Sequence, residues 1–300
     1  MSAAVASLAP WSRLKSGWRK AVFFSQCIKI EHSILALPFA YLTLFLVEDG
    51  LPRASTFGWI TLAMVGARTV GMASNRIIDA EIDARNPRTA DRHLPTGLLR
   101  HREMLLFTVL AAGLFLGAVY QLSSWARYLW PVALAVVVFY PYLKRYTWLC
   151  HLGLGVVYLL VPTGIWIAVA NELTVGAVLL GIGAGFWVAG FDTLYGVLDI
   201  DFDRREGIHS IPARFGLATS LRTAQAFHLM TVGFITAAGI VLDVGFVYYL
   251  GTAAFLGLII YEHRLVSPRD ISRANVAFFN MNGIISVIFF LFVMTDVLVR

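Results

Sequence analysis

Long apolar segments constrain the fold of this chain more than any other feature. Nine runs have roughly the 20-residue length that an α-helix needs to cross a membrane, and they lie at 24–47, 57–80, 104–122, 128–143, 149–170, 174–198, 222–242, 244–261 and 274–298. Hydrophobic residues make up 58% of the chain and charged residues 14%, unlike a soluble domain. The sequence predicts an all-α polytopic membrane protein with nine transmembrane helices. A count of eight stays open, because only the residues around Asp243 separate two runs.

The N-terminal segment, residues 1–20, carries four basic residues and two tryptophans. A signal peptide would have a short apolar core and a cleavage site of small residues, whereas here the apolar run continues through Val47. We therefore expect an uncleaved interfacial segment at the start of a single domain that covers 1–300. The two cysteines, Cys27 and Cys150, provide neither a disulfide framework nor metal-ligand spacing.

The distribution of basic residues predicts the orientation in the membrane. With the N-terminus in the cytoplasm, 20 of the 24 Lys and Arg residues fall on the cytoplasmic side, as the positive-inside rule requires. The net charge of +6 therefore reflects membrane topology, and it does not indicate nucleic-acid binding. We expect a multi-pass protein of a bacterial inner membrane, in contact with the lipid bilayer, with no obligatory protein partner evident.

Two polar stretches interrupt the apolar pattern at the predicted cytoplasmic ends of the second and sixth spans. Burying such groups without partners is costly, so something must compensate them. Both repeat polar residues at intervals of four, and an Arg-rich loop follows each. This parallel favours a four-plus-four helix pseudo-repeat with one extra helix around a central cavity. The repeated residues are Asn75, Asp79, Asp83 and Tyr195, Asp199, Asp203, with Asp192 one helical turn before Tyr195.

Residues four apart share one face of a helix, so each stretch presents its carboxylates as a stripe. The simpler interpretation is that each Asp pairs with a loop arginine and marks the membrane boundary. Taken together, the two stripes favour a shared site, in which facing carboxylates repel unless a cation lies between them. Mg²⁺ prefers such oxygen ligands and is usually held together with substrate phosphates. The basic residues available to bind phosphate on that side are Arg92, Lys144, Arg145, Arg204, Arg205 and Arg214.

Four ordered motifs resemble the UbiA superfamily of intramembrane aromatic prenyltransferases. They are Asn75-x3-Asp79-x3-Asp83, the loop from Arg88 to Gly97, the segment from Tyr140 to Thr147, and Asp192-x2-Tyr195-x3-Asp199-x3-Asp203 followed by Gly207 to Ser210. The resemblance covers nearly the whole chain. It implies nine helices around a central cavity, two Asp-rich motifs that hold Mg²⁺ and a polyprenyl diphosphate, and transfer of the prenyl chain to a small aromatic acceptor.

Roles follow from the resemblance residue by residue. Asp79, Asp83, Asp199 and Asp203 match the metal-binding positions, and Lys144 and Arg145 match the pair that grips diphosphate. The expected substrate-binding residues are Asn75, Arg68, Arg92, Asp192, Tyr195, Tyr140 and Arg214. Arg68 could anchor a carboxylate on the acceptor or form an ion pair with Glu31, and the sequence leaves both open.

Two departures from the family pattern concern the acceptor. Arg76 stands where many members have Asp, and His209 stands where they have Lys. These variants resemble a UbiA-like branch labelled 4-hydroxybenzoate polyprenyltransferase, some of whose relatives serve the futalosine route to menaquinone. We therefore expect a prenyltransferase of respiratory quinone biosynthesis that acts on a 4-hydroxybenzoate-type acceptor, with a dihydroxynaphthoate acceptor as the alternative.

Two other classes of protein place charges in membrane helices. A secondary transporter combines duplicated halves with intramembrane charges, but its site lies near the midplane of the bilayer. A phosphatidyltransferase concentrates its acidic residues in one motif. Among the remaining polar residues, we expect Asn275, Asn280 and Asn282 to bond between helices. We expect packing roles for His151, the two cysteines and the glycines at 181, 183 and 185.

Overall fold

The computed structural model describes residues 16–29 and 36–300, and within them the chain folds into helices without a β-strand. The α-helices are α1 Ser16–Cys27, α2 Leu37–Glu48, α3 Ala54–Ile78, α4 Ala80–Arg85, α5 His101–Val119, α6 Ser124–Phe139, α7 Cys150–Ala170, α8 Val175–Gly196, α9 Ile200–Glu206, α10 Ile211–Val241, α11 Phe246–Arg264, α12 Ala274–Val276 and α13 Asn282–Val299. Tyr140–Arg145 and Val197–Asp199 are 3₁₀ segments, and Ala277–Met281 is a π-helical segment between α12 and α13.

The all-α fold class is confirmed, and seven helices in the described part are long and apolar enough to cross a membrane. The break near Asp243 is also confirmed, since this residue takes a left-handed φ of 51° between α10 and α11. The first predicted span, 24–47, is wrong at its beginning. Helix α1 ends at Cys27, and Lys29 has a φ of 50°, a backbone conformation that an α-helix does not contain. Glu31 and His32 lie outside the described residues.

Helices α2, α8, α11 and α13 enclose an apolar core. Large aromatic side chains of these helices form one cluster, in which Phe39 stacks on Trp187 with ring centroids 5.0 Å apart. Phe289 lies against Phe255 in the same cluster, with centroids 5.5 Å apart. This packing fixes α8, which carries the second acidic stretch at its far end.

Small residues allow α7 and α8 to lie close together. A Cβ atom on Gly155 would lie 2.6 Å from the carbonyl oxygen of Gly185, so the two backbones are in direct contact. Side chains larger than hydrogen at these positions would force the helices apart. Gly181 and Gly183 likewise face Leu159 and Ile235 too closely for a Cβ atom, so the predicted packing role of the three α8 glycines is confirmed.

A buried polar network ties α8, α11 and α13 together. The indole Nε1 of Trp187 donates to the side-chain oxygen of Asn282 over 2.8 Å, and the Asn282 amide donates to Glu262 over 2.7 Å. The interhelical role predicted for Asn282 is thus confirmed, whereas Asn275 and Asn280 are exposed.

Candidate active site

Both acidic stretches border one cavity, although the helices that carry them are not continuous as the stripe interpretation assumed. Helix α3 ends at Ile78, and Asp79 has φ −94° and ψ 1° before α4 begins. Asp199 has φ −109° and ψ 7° at the corresponding junction before α9. These values lie outside the α-helical region. The two aspartates therefore share one local conformation, at a helix break that directs the following turn across the mouth of the cavity.

The first stretch contacts basic and aromatic residues across the cavity. The amide of Asn75 donates to the Tyr140 hydroxyl over 3.4 Å. Lys144 Nζ lies 2.5 Å from Asp79 Oδ2. Arg92 Nη1 lies 2.7 Å from each oxygen of Asp83, while Arg76 is 3.9 Å from the same carboxylate. Asp79 and Asp83 are therefore each paired with a basic side chain.

Asp79 is the most deeply buried carboxylate of the site, with 2% of its surface exposed. Its Oδ1 atom is buried without a hydrogen-bond partner. A buried carboxylate oxygen in that state is unfavourable unless a donor or a cation approaches it.

The second stretch is held by residues from elsewhere in the chain. Arg88, in the loop after α4, contacts both oxygens of Asp199 and donates to the Tyr195 hydroxyl over 2.7 Å. The Asn86 amide donates to Asp199 Oδ1 over 2.9 Å. The loop that follows the first stretch therefore binds directly to the second.

Asp192 and Asp203 of the second stretch have partners of their own. Asp192 and His151 Nδ1 share a hydrogen bond of 2.7 Å. Ser210, the residue before α10, donates to Asp203 Oδ2 over 2.9 Å. The backbone N–H of His209 donates to the carbonyl oxygen of Lys144 over 2.7 Å, which joins the second loop to the basic segment Tyr140–Arg145.

The basic residues predicted to bind phosphate do not all reach the cavity. Arg92 and Lys144 line it, as does Arg68, which donates to the backbone oxygen of Lys29 over 3.0 Å. Arg145 stands behind this layer, where it donates to the carbonyl oxygen of Ile78 over 2.5 Å. Arg214 is exposed, lies over the Trp148 ring at 5.7 Å, and is not part of the cavity wall.

Three residues of the cavity wall were missed as functional candidates: Asn86, Arg88 and His151. His151 was expected to pack, yet it contacts Asp192. Arg88 stood inside a motif of the sequence, but nothing in the spacing connects it to Asp199, which lies 111 residues away. A signal for this pair would have required knowledge of the tertiary fold.

The donor set fits Mg²⁺, the ion implied by the family resemblance. The available ligands are carboxylate oxygens, which Mg²⁺ prefers, and Asp79 Oδ1 accepts no hydrogen bond, with Arg145 Nη2 3.9 Å away. Among residues 16–29 and 36–300, no three His, Cys, Asp or Glu side chains are arranged to hold a metal by themselves. The protein groups therefore suit an ion that takes its other ligands from water and from substrate oxygens.

The cavity has a volume of about 600 Å³ and is polar at one end only. Its polar end is the ring of acidic and basic side chains described above. Away from it, the wall is apolar and includes Ile60, Ala63, Met64, Phe115, Leu134 and Val161. Because Ile60 lies 18 residues before Ile78, the last residue of α3, a helical rise of 1.5 Å per residue gives the cavity a depth of about 27 Å along this helix. The shape suits a ligand with a charged head group and a long apolar tail.

Comparison with known proteins agrees with this description. Residues 36–284 match the model of the UbiA prenyltransferase family. A 4-hydroxybenzoate octaprenyltransferase of Photobacterium profundum is 32% identical over 274 residues, which cover 90% of this chain and 95% of that protein. The 4-hydroxybenzoate octaprenyltransferase of Aliivibrio fischeri strain ES114 is 30% identical with the same coverage.

Solved structures show the same fold. The apo structure of a UbiA homolog from Aeropyrum pernix superposes with a TM-score of 0.80 at 33% identity, and covers 90% of this chain and 99% of that one. A UbiA homolog from Archaeoglobus fulgidus, solved with GPP and Mg²⁺ bound, superposes with a TM-score of 0.71 at 17% identity, covering 92% and 99% of the two chains.

Proposed function

This chain belongs to the UbiA prenyltransferase family, and we propose that it transfers a polyprenyl group from polyprenyl diphosphate to a ring carbon of a 4-hydroxybenzoate-type acceptor. The reaction would supply a precursor of a respiratory quinone. The single observation that carries this proposal is one cavity with two facing acidic motifs at its charged end and an apolar channel behind them. Membership of the family makes the chain a prenyltransferase, which excludes the transporter and phosphatidyltransferase interpretations.

The polar end of the cavity would bind the diphosphate. Lys144 and Arg92 are within the wall and can turn from Asp79 and Asp83 toward phosphate oxygens, and Arg145 adds positive charge behind them. Mg²⁺ would be held by Asp79, Asp83, Asp199 and Asp203, and would supply positive charge to the leaving diphosphate. The basic side chains stabilise the same developing charge from the protein side.

The apolar part of the cavity would hold the prenyl chain and keep water away. When the allylic C–O bond breaks, its electron pair leaves with the diphosphate and an allylic cation remains. Aromatic faces such as Tyr140 and Tyr195 line the cavity and can stabilise that cation. A ring carbon of the acceptor then forms the new C–C bond, and the ring loses its proton. Exclusion of water favours this outcome over hydrolysis of the prenyl chain.

Arg68 is the side chain best placed to select an acceptor that carries a carboxylate. It lines the cavity between the charged end and the apolar channel, two turns before Asn75 on the same face of α3, and contacts the backbone oxygens of Ile28 and Lys29. A guanidinium binds a carboxylate through two parallel hydrogen bonds. Asp192, paired with His151 on the facing helix, would border the same acceptor.

We further propose that nine helices cross the membrane, as two four-helix units and one extra helix. This count adds α2 and α3 to the seven apolar helices. The shared backbone conformation of Asp79 and Asp199 supports the internal repeat. The distribution of basic residues supports a bacterial inner membrane location with the N-terminus and the charged end of the cavity in the cytoplasm.

The proposed function is tested by incubating the purified protein in lipid nanodiscs with a labelled polyprenyl diphosphate and Mg²⁺. Parallel reactions contain 4-hydroxybenzoate or a dihydroxynaphthoate. We expect label in 4-hydroxybenzoate. Label only in the dihydroxynaphthoate would assign the protein to the menaquinone route. The absence of label from both acceptors would contradict the proposed function.

A further inference from the structure

Arg88 connects the two acidic stretches at the charged end of the cavity. It follows the first acidic stretch, yet its guanidinium contacts the second. Its Nε lies 2.9 Å from Asp199 Oδ1, its Nη2 contacts Asp199 Oδ2, and its Nη1 donates to the Tyr195 hydroxyl over 2.7 Å. Lys144 and Arg92, by contrast, pair with carboxylates of the first stretch.

The surroundings hold Arg88 in this arrangement. Asn86 accepts the backbone N–H of Arg88 over 2.9 Å and donates its amide to Asp199 over the same distance. The guanidinium also lies over the Tyr195 ring, 5.0 Å from its centroid. Both oxygens of Asp199 are thereby occupied by donors from the loop after α4. A bidentate contact of this kind is among the stronger polar interactions in proteins.

These contacts conflict with the metal-binding role of Asp199. A divalent cation would need the oxygen lone pairs that Arg88 and Asn86 already use, and it would repel the guanidinium. The two cations therefore exclude one another at Asp199. Because Arg88 lines the cavity and its side chain is 31% exposed, it can leave Asp199 without unfolding its loop, provided that another anion receives it.

We propose that Arg88 is a charge-exchange residue. In the resting protein it occupies Asp199 and opposes metal binding; when a diphosphate enters, it moves to the phosphate oxygens and leaves Asp199 to Mg²⁺. The metal and the diphosphate then bind together rather than separately, because each needs the other to displace Arg88. This inference rests on the proposed function and adds a residue to the machinery that the family resemblance provides.

The test measures binding without catalysis. Purified wild-type protein and Arg88→Gln are titrated with Mn²⁺, a paramagnetic substitute that accepts the same oxygen ligands as Mg²⁺, and then with inorganic diphosphate at saturating Mn²⁺. We expect Arg88→Gln to bind Mn²⁺ alone about tenfold more tightly, because the competing cation is gone. We expect it to bind diphosphate about tenfold more weakly, because a phosphate-binding group is lost.

Tighter binding of Mn²⁺ together with weaker binding of diphosphate distinguishes charge exchange from a structural role, which would not change the two affinities in opposite directions. The matched control is Arg85→Gln, which removes the same charge three residues earlier, from a side chain that pairs with Glu206 at 2.7 Å outside the cavity. We expect this control to leave both affinities near the wild-type values. If Arg88→Gln fails to fold, Arg88→Lys retains the charge without the bidentate fork, and it should show the same two shifts at smaller size.

Two results would overturn the inference: Mn²⁺ binding that is unchanged or weaker in the Arg88 variant, or equal effects in the two glutamine variants. Neither result bears on the proposed function. That function is judged separately by whether the wild-type protein prenylates an aromatic acceptor. A protein that forms product but shows no rise in Mn²⁺ affinity without Arg88 would refute charge exchange alone.

Discussion

The depth of the cavity predicts how one glycine controls the length of prenyl chain that the protein accepts. Gly164 lies on α7 and lines the cavity, and a Cβ atom placed there would meet nothing within 4 Å. His151, which contacts Asp192 at the charged end, is 13 residues earlier, or about 20 Å along the helix. One isoprene unit spans about 5 Å, because it contributes four carbon–carbon bonds of about 1.5 Å at tetrahedral angles. About four units therefore fit between the charged end and Gly164.

Replacing Gly164 with Phe should close the channel at that depth. Chains of up to about four units should still react, whereas longer chains must displace the new ring or bend. Forcing extra carbon atoms into a packed site costs about 1–3 kcal/mol, which corresponds to about a 5- to 150-fold loss in kcat/KM. The loss arises from steric exclusion, since a tail that remains in the lipid is in an equally apolar environment.

The assay compares kcat/KM for diphosphates of two, four and eight isoprene units in nanodiscs. The matched control is Gly113→Phe, because Gly113 also has open space around it but lies on α5 outside the cavity wall. We expect the control to keep the wild-type preference. Equal effects of Gly164→Phe on all chain lengths would refute the reasoning. The tail would then leave the cavity before reaching Gly164, for example beside Val132, which lines the cavity and is 58% exposed.

Three further predictions concern the charged end and the fold. Asp79→Asn and Asp199→Asn should each abolish Mg²⁺-dependent prenylation while the protein still folds, measured by product formation and gel filtration; full activity in both would contradict the metal assignment. Chelation with EDTA should stop turnover without lowering Tm, because basic side chains already pair with the carboxylates, and added Mg²⁺ should restore it. Asp296→Ala should lower the free energy of unfolding by about 1–3 kcal/mol, because this buried carboxylate accepts the N–H groups of Gly245 and Tyr248. Asp296 is not part of the cavity wall, so kcat should not change. An unchanged Tm would contradict this capping role.

The helices could be predicted because their determinants are local. An apolar run long enough to cross a bilayer has few alternatives, and the predicted spans from 104 to 261 lie on observed helices. The first span failed because hydrophobicity does not report backbone dihedral angles: the chain leaves the helix after Cys27, and Lys29 has a positive φ. No Gly or Pro lies between the end of α1 and the start of α2, so the apolar run was extended across the gap between them.

The sequence predicted that four aspartates face one cavity, but it did not predict which side chains pair with them. The spacing of Asp79, Asp83, Asp199 and Asp203 placed these residues at one cavity, which the structure describes. The helix break at Asp79 left no Gly or Pro signal, and Gly196, at which α8 ends before the break at Asp199, was not used as one. Charge alone also failed to predict which arginines reach the cavity: Arg214, in the first turn of α10, and Arg88, in the loop after α4, were both placed on the cytoplasmic side, yet of the two only Arg88 lines the cavity.

The basic residues of the charged end have two roles: they neutralise buried carboxylates in the folded protein, and they are available to bind the diphosphate of the substrate. Carboxylates buried without a partner are costly, so the folded protein requires countercharges before any substrate is present. Lys144, Arg92 and Arg88 provide them, one for each of Asp79, Asp83 and Asp199. The same side chains are the cations nearest to an incoming diphosphate. Substrate binding therefore exchanges partners within a set of charges that is already assembled, and the protein does not have to bring isolated charges into the membrane at the moment of reaction.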